Sequence, residues 1–188
     1  VVSYYWGGGP VLGVGAVTLV NGLTGMTGPV TAANSLVGST PGDWVGLRAN
    51  DNPVQGVTAL SNGNFVVNSG VWHHEGTVNA GAVTFVNGTT GLTGPVTSAN
   101  SLHGTSTDDS VNRTVIALTN GNYVVSSSNW DHGGTLNVGA VTFGDGSTGV
   151  SGPISTANSL HGSTAGDLVG SQGVVSLSND NYVVASSS

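Results

Sequence analysis

The chain has 188 residues, no cysteine and a formal net charge of −7, and only 6% of its residues are charged, against roughly 25% in ordinary soluble domains. Its two basic residues, Arg48 and Arg113, cannot neutralise a run of phosphates, which excludes a nucleic-acid surface. Without cysteine there are no disulfides and no thiolate metal sites.

In chain order the elements read as short β segments. Residues 1–6 (VVSYYW) are a strand of type B. Residues 15–19 (GAVTL) are a strand C, and residues 32–36 end a more polar strand D. Residues 47–55 (LRANDNPVQ) carry Pro53 and two charges and read as an inserted surface loop. From residue 57 to 102 comes a full series A (VTAL), B (NFVVNS), C (GAVTF) and D (TSANSL). A second full series runs from 115 to 160, and an A and a B strand follow from 174 to 188. The order is therefore BCD, ABCD, ABCD, AB. Helix is disfavoured because Gly, Val, Thr, Ser and Asn are mediocre to poor helix formers and no 3.6-residue apolar period occurs. Asn62-Gly63 and Asn120-Gly121 lie between the A and B strands. Asn-Gly there predicts a tight type I′ hairpin, whose two central residues need positive φ. Asn179-Asp180 fills the same place less well.

The series is a repeat. GAVTLVNGLTGMTGPVTAANSL at Gly15 returns as GAVTFVNGTTGLTGPVTSANSL at Gly81 and GAVTFGDGSTGVSGPISTANSL at Gly139. The unit is about 58 residues long, and the first copy is longer by its insertion. One domain, 1–188, thus divides into units 1–56, 57–114 and 115–173, with 174–188 a partial unit. The expected fold is all-β: three four-stranded antiparallel repeats resembling β-propeller blades. A β-solenoid is the alternative; tight antiparallel hairpins speak for blades.

The order D-x-V-G, V-x-L, NYVVSS and VGAVTF-x-x-G-x-T-G resembles the FG-GAP repeat of integrin-α-type β-propellers and of bacterial surface proteins of adhesin or hemagglutinin type. Val45-Gly46 and Val169-Gly170 stand where that family has Phe-Gly, and 81–85 and 139–143 match its following strand. The resemblance implies a propeller and a place on a cell surface. That family often carries an Asp-rich calcium loop between strands A and B. Only Asn62-Gly63, Asn120-Gly121 or Asn179-Asp180 stands there, too few oxygens for calcium, so no cofactor is carried over.

Candidate chemistry is thin. Asp43, Asp109 and Asp167 recur before strand A and read as acceptors for turn N–H groups. His73, His74 and Glu75, with Asp131 and His132 one unit on, match no zinc spacing. His103 and His161 correspond to Val37 in the first unit, so they do not form a repeated ligand set. Trp6, Trp72 and Trp130 recur after strand B. Trp72 and Trp130 could stack on glycans; packing between blades is the plainer role. No nucleophile elbow, triad order or phosphate loop occurs, so no enzyme is expected. Asn87 and Asn112 open N-glycosylation sequons.

The composition predicts an extracellular or cell-surface protein with no membrane insertion, since no apolar run nears the roughly 20 residues a spanning helix needs. With no initiator Met and no signal-like leader, the chain reads as a processed form. The incomplete first and last series suggest a role. Unprotected strand edges, without lysines, invite pairing with another chain, and a non-closing contact of that kind builds a filament. The sequence thus predicts a structural protein that joins its own copies end to end, as a fibre or surface layer. Val1, Val2, Tyr4 and Trp6 would serve at one end and Tyr182, Val183 and Val184 at the other. The alternative is an adhesin or glycan-binding propeller module.

Overall fold

The structure is a computed structural model that describes residues 1–7, 13–47, 56–111 and 114–187. Among them there are fifteen strands and no helix. They are β1 (Val2–Ser3), β2 (Ala16–Val17), β3 (Leu36–Val37), β4 (Val57–Ala59), β5 (Phe65–Ser69), β6 (Ala82–Val86), β7 (Gly94–Pro95) and β8 (Ser101–His103). Then come β9 (Thr114–Ala117), β10 (Tyr123–Ser127), β11 (Ala140–Gly144), β12 (Gly152–Pro153), β13 (Ser159–His161), β14 (Gly173–Ser176) and β15 (Tyr182–Ala185).

In the second repeat, β4, β5, β6 and β8 form an antiparallel A-B-C-D sheet, and β9, β10, β11 and β13 do so in the third. The first repeat shows β1, β2 and β3 as B, C and D. The last two strands, β14 and β15, form a hairpin of types A and B. The fold class expected from the sequence is therefore the one observed, an all-β array of three repeats.

Two details differ from the sequence reading. The segment from Gly94 to His103 holds, besides the expected strand D, a strand that the sequence reading does not have. Its Gly-Pro start is a separate strand, β7, which pairs in parallel with β3 of the preceding repeat; β12 pairs with β8 in the same way. Proline suits this place because it lies on an edge and needs no N–H of its own. The A–B turns also differ. Leu60 N–H donates to Asn64 O, Gly63 N–H donates to Leu60 O, and only Gly63 has positive φ, 88°. That is a type I turn with a left-handed residue after it, one residue longer than a type I′ hairpin. Asp180 takes this conformation in the last hairpin, with φ 68°.

The core lies between repeats, because successive residues of a strand point to opposite faces. Val67 and Ala82 join Val17, Leu36 and Val45 of the first repeat. Their neighbours Val66 and Val83 join Tyr123, Val125 and Ala140 of the third. Val124 and Val141 then face Val174, Tyr182 and Val184 of the last hairpin. A sheet buried on both faces needs apolar residues in succession, which is why the B strands read Val-Val.

Glycine at the start of each C strand is a packing requirement. A Cβ on Gly81 would sit 2.3 Å from the backbone N of Val111, and one on Gly139 2.3 Å from that of Val169. The D-x-V turn lies directly on the chain there: Val111 N–H donates to Ala80 O and Val169 N–H to Val138 O.

Candidate functional site

Among the described residues, no three His, Asp or Glu side chains are grouped to hold a metal ion. The recurrent geometry is the junction between one repeat and the next, and the sequence motifs converge on it.

The recurring aspartates hold that junction from one side. Asp43 Oδ2 accepts from the N–H groups of Ser39 and Thr40 at 2.9 and 2.8 Å, closing its own turn. Its Oδ1 accepts from His73 N–H of the next repeat at 3.0 Å. The His73 ring nitrogen lies 3.3 Å from the same oxygen without hydrogen-bond geometry. Asp109 repeats the pattern, with Thr105 and Ser106 on Oδ2 and Asp131 N–H of the third repeat on Oδ1. Burial pushes the Asp109 carboxyl above its ordinary pKa, against the three donors. Asp167 takes Ser163 and Thr164 N–H on Oδ2, which hold its pKa below the ordinary range. Among the described residues no N–H from a next repeat reaches its Oδ1.

Trp72 and Trp130 are only 3% and 2% exposed. Their rings stack on His74 and His132 and meet His103 and His161 edge-on. The glycan-stacking reading of these two residues finds no open ring face, because the indoles are packed into the junctions. His103 Nδ1–H donates to Gly104 O, 2.8 Å away, and burial holds its pKa below the ordinary imidazole value. Asn100 and Asn158 tie the D strand to its own Gly-Pro strand by donating to Pro95 O and Pro153 O.

The D edge is the part of the junction that sequence reasoning missed. Val96 N–H donates to Val37 O, and Ile154 N–H to His103 O, each at 2.9 Å. The Val96 side chain joins the cluster of Leu36, and Ile154 that of Leu102. The signal was present: Gly-Pro-Val or Gly-Pro-Ile recurs at 28–30, 94–96 and 152–154, with proline at a place where a central strand forbids it. A second lock lies beside it. A Cβ on Gly149 would fall 2.6 Å from Phe85 Cβ, so only glycine lets the third repeat close over that ring.

Both ends of the array show the same parts uncovered. At the third repeat β13 is an edge strand, with β11 as its pairing partner. Leu160 is 58% exposed where Leu102 is 0%, and Phe143 is 45% exposed where Phe85 is half-buried. At the first repeat Val30 is half-buried where Val96 and Ile154 are buried, and a Cβ on Gly25 would meet nothing within 4 Å where one on Gly149 meets Phe85.

The residues expected to serve in assembly fall in separate sheets. Val1 is exposed; Val2 pairs with Val17 and packs against the first core. Tyr4 and Trp6 are half-buried, and Trp6 O accepts from Gly15 N–H. Tyr182 and Val184 pack inward on Leu118, Val124 and Val141, while Val183 faces out. The sequon residue Asn87 is exposed and accepts from Thr89 and Thr90 N–H. Arg48, Arg113, Asn112 and most of the inserted loop lie outside the described residues.

Fold and junction together define an all-β repeat array whose recurring structure is the contact between neighbours. The chain belongs to the family described as a repeat of unknown function (DUF5650), which matches residues 1–47, 59–113 and 117–171. Neither the curated proteins nor the solved structures hold a match to it.

Proposed function

We propose that this protein is a non-enzymatic structural repeat protein, extracellular or at a cell surface, whose partners are other copies of itself. Its work is to extend: repeats add end to end into a fibre or surface layer. One observation carries this reading. The same junction, with the same parallel Gly-Pro strand and the same aspartate bridge, occurs at both internal boundaries, and among the described residues the β13 edge and the Gly-Pro segment at 28–30 have no partner strand. A contact whose two sides lie at opposite ends is heterologous and propagates unless its rotation closes a ring.

The motif likeness to FG-GAP propeller repeats and the low charge support the surface setting. Few charges also let such faces meet without repulsion. No described helix is long and apolar enough to cross a membrane.

Electron microscopy of the purified chain tests the proposal. End-to-end particles, growing in steps of one chain length with concentration, are expected. Single particles of one chain at every concentration would rule it out.

A further inference from the structure

We propose that His103 is a proton-operated latch between the second and third repeats: protonating its imidazole loosens residues 152–154 of the third repeat from the edge of β8. The latch lies within one chain and does not require that copies join.

His103 ends β8, where the two repeats meet. Its backbone pairs with Ala82 of β6 on one side and with Pro153 of β12 on the other. Its carbonyl O accepts from Ile154 N–H at 2.9 Å. The residue is 4% exposed. Nδ1–H donates to Gly104 O, which leaves Nε2 as the basic nitrogen. The His74 ring lies 4.6 Å away, and the Trp72 ring meets the imidazole edge-on at 6.2 Å. His161 shows the same ring in another setting. It stands in the same six-residue sequence, bonds through Nδ1 to Gly162 O and meets Trp130 edge-on at 6.3 Å, yet it is exposed. Among the described residues no strand runs along its outer side, and its second imidazole, His132, is 6.2 Å away.

Linkage makes this contrast a device. Covering His103 with β12 takes its imidazole out of water, and a protonated ring loses more by that than a neutral one. Proton binding and docking of the third repeat therefore oppose each other by the same free energy. The His103 pKa, held below the ordinary imidazole value by burial, has the sign this requires. His74 is a second base, and a charge there opposes a charge on His103. Gly104 O and the Glu75 carboxylate favour the protonated ring, but burial outweighs them, and Glu75 is exposed and lies 3.9 Å from His74. In the turn after β8, Asp108 accepts from Asn79 Nδ2, and Asp109 accepts from the N–H groups of Thr105, Ser106 and Asp131. Asp131 of the third repeat accepts from Asn137 N–H. β6 and β12 bring no charged side chain.

The strand that yields is β12. It has two residues and lies at the edge of its sheet. On the other side of His103, β6 is held by β5 at five positions, from Phe65 with Val86 to Ser69 with Ala82. The boundary between the first two repeats has the same strand without the latch. There Val37 stands in place of His103, and Val96 N–H donates to Val37 O at 2.9 Å.

Hydrogen exchange of the 188-residue chain tests the latch, with amide protection read at Ile154 and, as an internal control, at Val96. Rates are corrected for the intrinsic pH dependence of exchange. Protection at Ile154 is expected to fall by up to about tenfold per pH unit below the ordinary imidazole pKa of about 6.5, until the lower folded value is passed. Protection at Val96 is expected to hold over the same range. His103→Val, which copies the first repeat, should remove the fall at Ile154. His103→Gln should do the same and serves if the valine variant does not fold. Ile154 protection that stays constant from about pH 7.5 to about pH 5 would overturn the latch. So would an equal fall at Val96, or a fall that persists in the folded His103 variant.

Discussion

Residues 99–104 and 157–162 are the same six residues, Ala-Asn-Ser-Leu-His-Gly. Both end in a D strand, and both pair in antiparallel fashion with their own C strand through the same register. Yet Leu102 and His103 are buried, while Leu160 and His161 are exposed. The difference is the neighbour. The third repeat lays Gly152, Pro153 and Ile154 along the first of these strands, and nothing among the described residues lies along the second. Local sequence makes the strand; the next repeat makes it core.

The largest test of this contrast is the paired truncation. Leu102→Ala should cost about 2–5 kcal/mol, the usual range for a buried leucine. Leu160→Ala should stay within about 0.5 kcal/mol in dilute protein, as read by urea unfolding. Equal losses in a monomeric sample would erase the distinction. A Leu160→Ala loss that grows with protein concentration would show its face being covered by association.

Next in size is the glycine lock. Gly149→Ala drives a methyl group into Phe85, whereas Gly25→Ala meets nothing. Both place alanine at positive φ, 77° and 68°, so that strain cancels between them. The first should exceed the second by about 1–3 kcal/mol, the usual range for overpacking, in the same unfolding experiment.

The aspartates sharpen the comparison at a polar contact. Asp109→Ala strips an acceptor from three N–H groups, two in its own repeat and one in the next. A loss of about 1–3 kcal/mol is expected for leaving such buried donors unpaired. Asp167 bridges to no next repeat among the described residues, so Asp167→Ala should cost less. If Asp167→Ala proved the more damaging, the view of this carboxylate as a staple between repeats would be wrong.

The smallest effect concerns pH. Burial depresses the pKa of His103, and the nearby His74 adds to this, against Gly104 O and the Glu75 carboxylate. A base with a folded pKa below its unfolded value is held neutral by the fold. Its contribution is therefore full above the ordinary imidazole pKa of about 6.5. It is lost as pH falls from there through the lower folded value. His103→Val, which installs the residue found at Val37 of the first repeat, should flatten that part of the stability–pH curve. An unchanged curve would place the acid sensitivity elsewhere.

Much of the architecture was legible because it is local. β-branched runs, Gly and Asn-Gly punctuation and the recurring blocks mark strands A, B and C and the unit length without reference to anything distant. The A–B turn was misread by one residue because Asn-Gly suits two hairpin geometries; Leu60 and Asn64 select the longer one. The D region was misread because a two-residue strand such as β7 has no period to detect, and its partner lies in the preceding repeat.

By itself the sequence determined the all-β class, the repeat, its length, and which residues alternate across each strand. These follow from backbone sterics and side-chain period. Only the tertiary structure decided what each copy of a motif does. The Trp72 and Trp130 rings could have been surface or core, and packing between sheets made them core. Asp43 and Asp109 became bridges because a neighbour's N–H lies within reach, and Asp167 did not. Burial is a property of two surfaces, and a single segment of sequence encodes one of them.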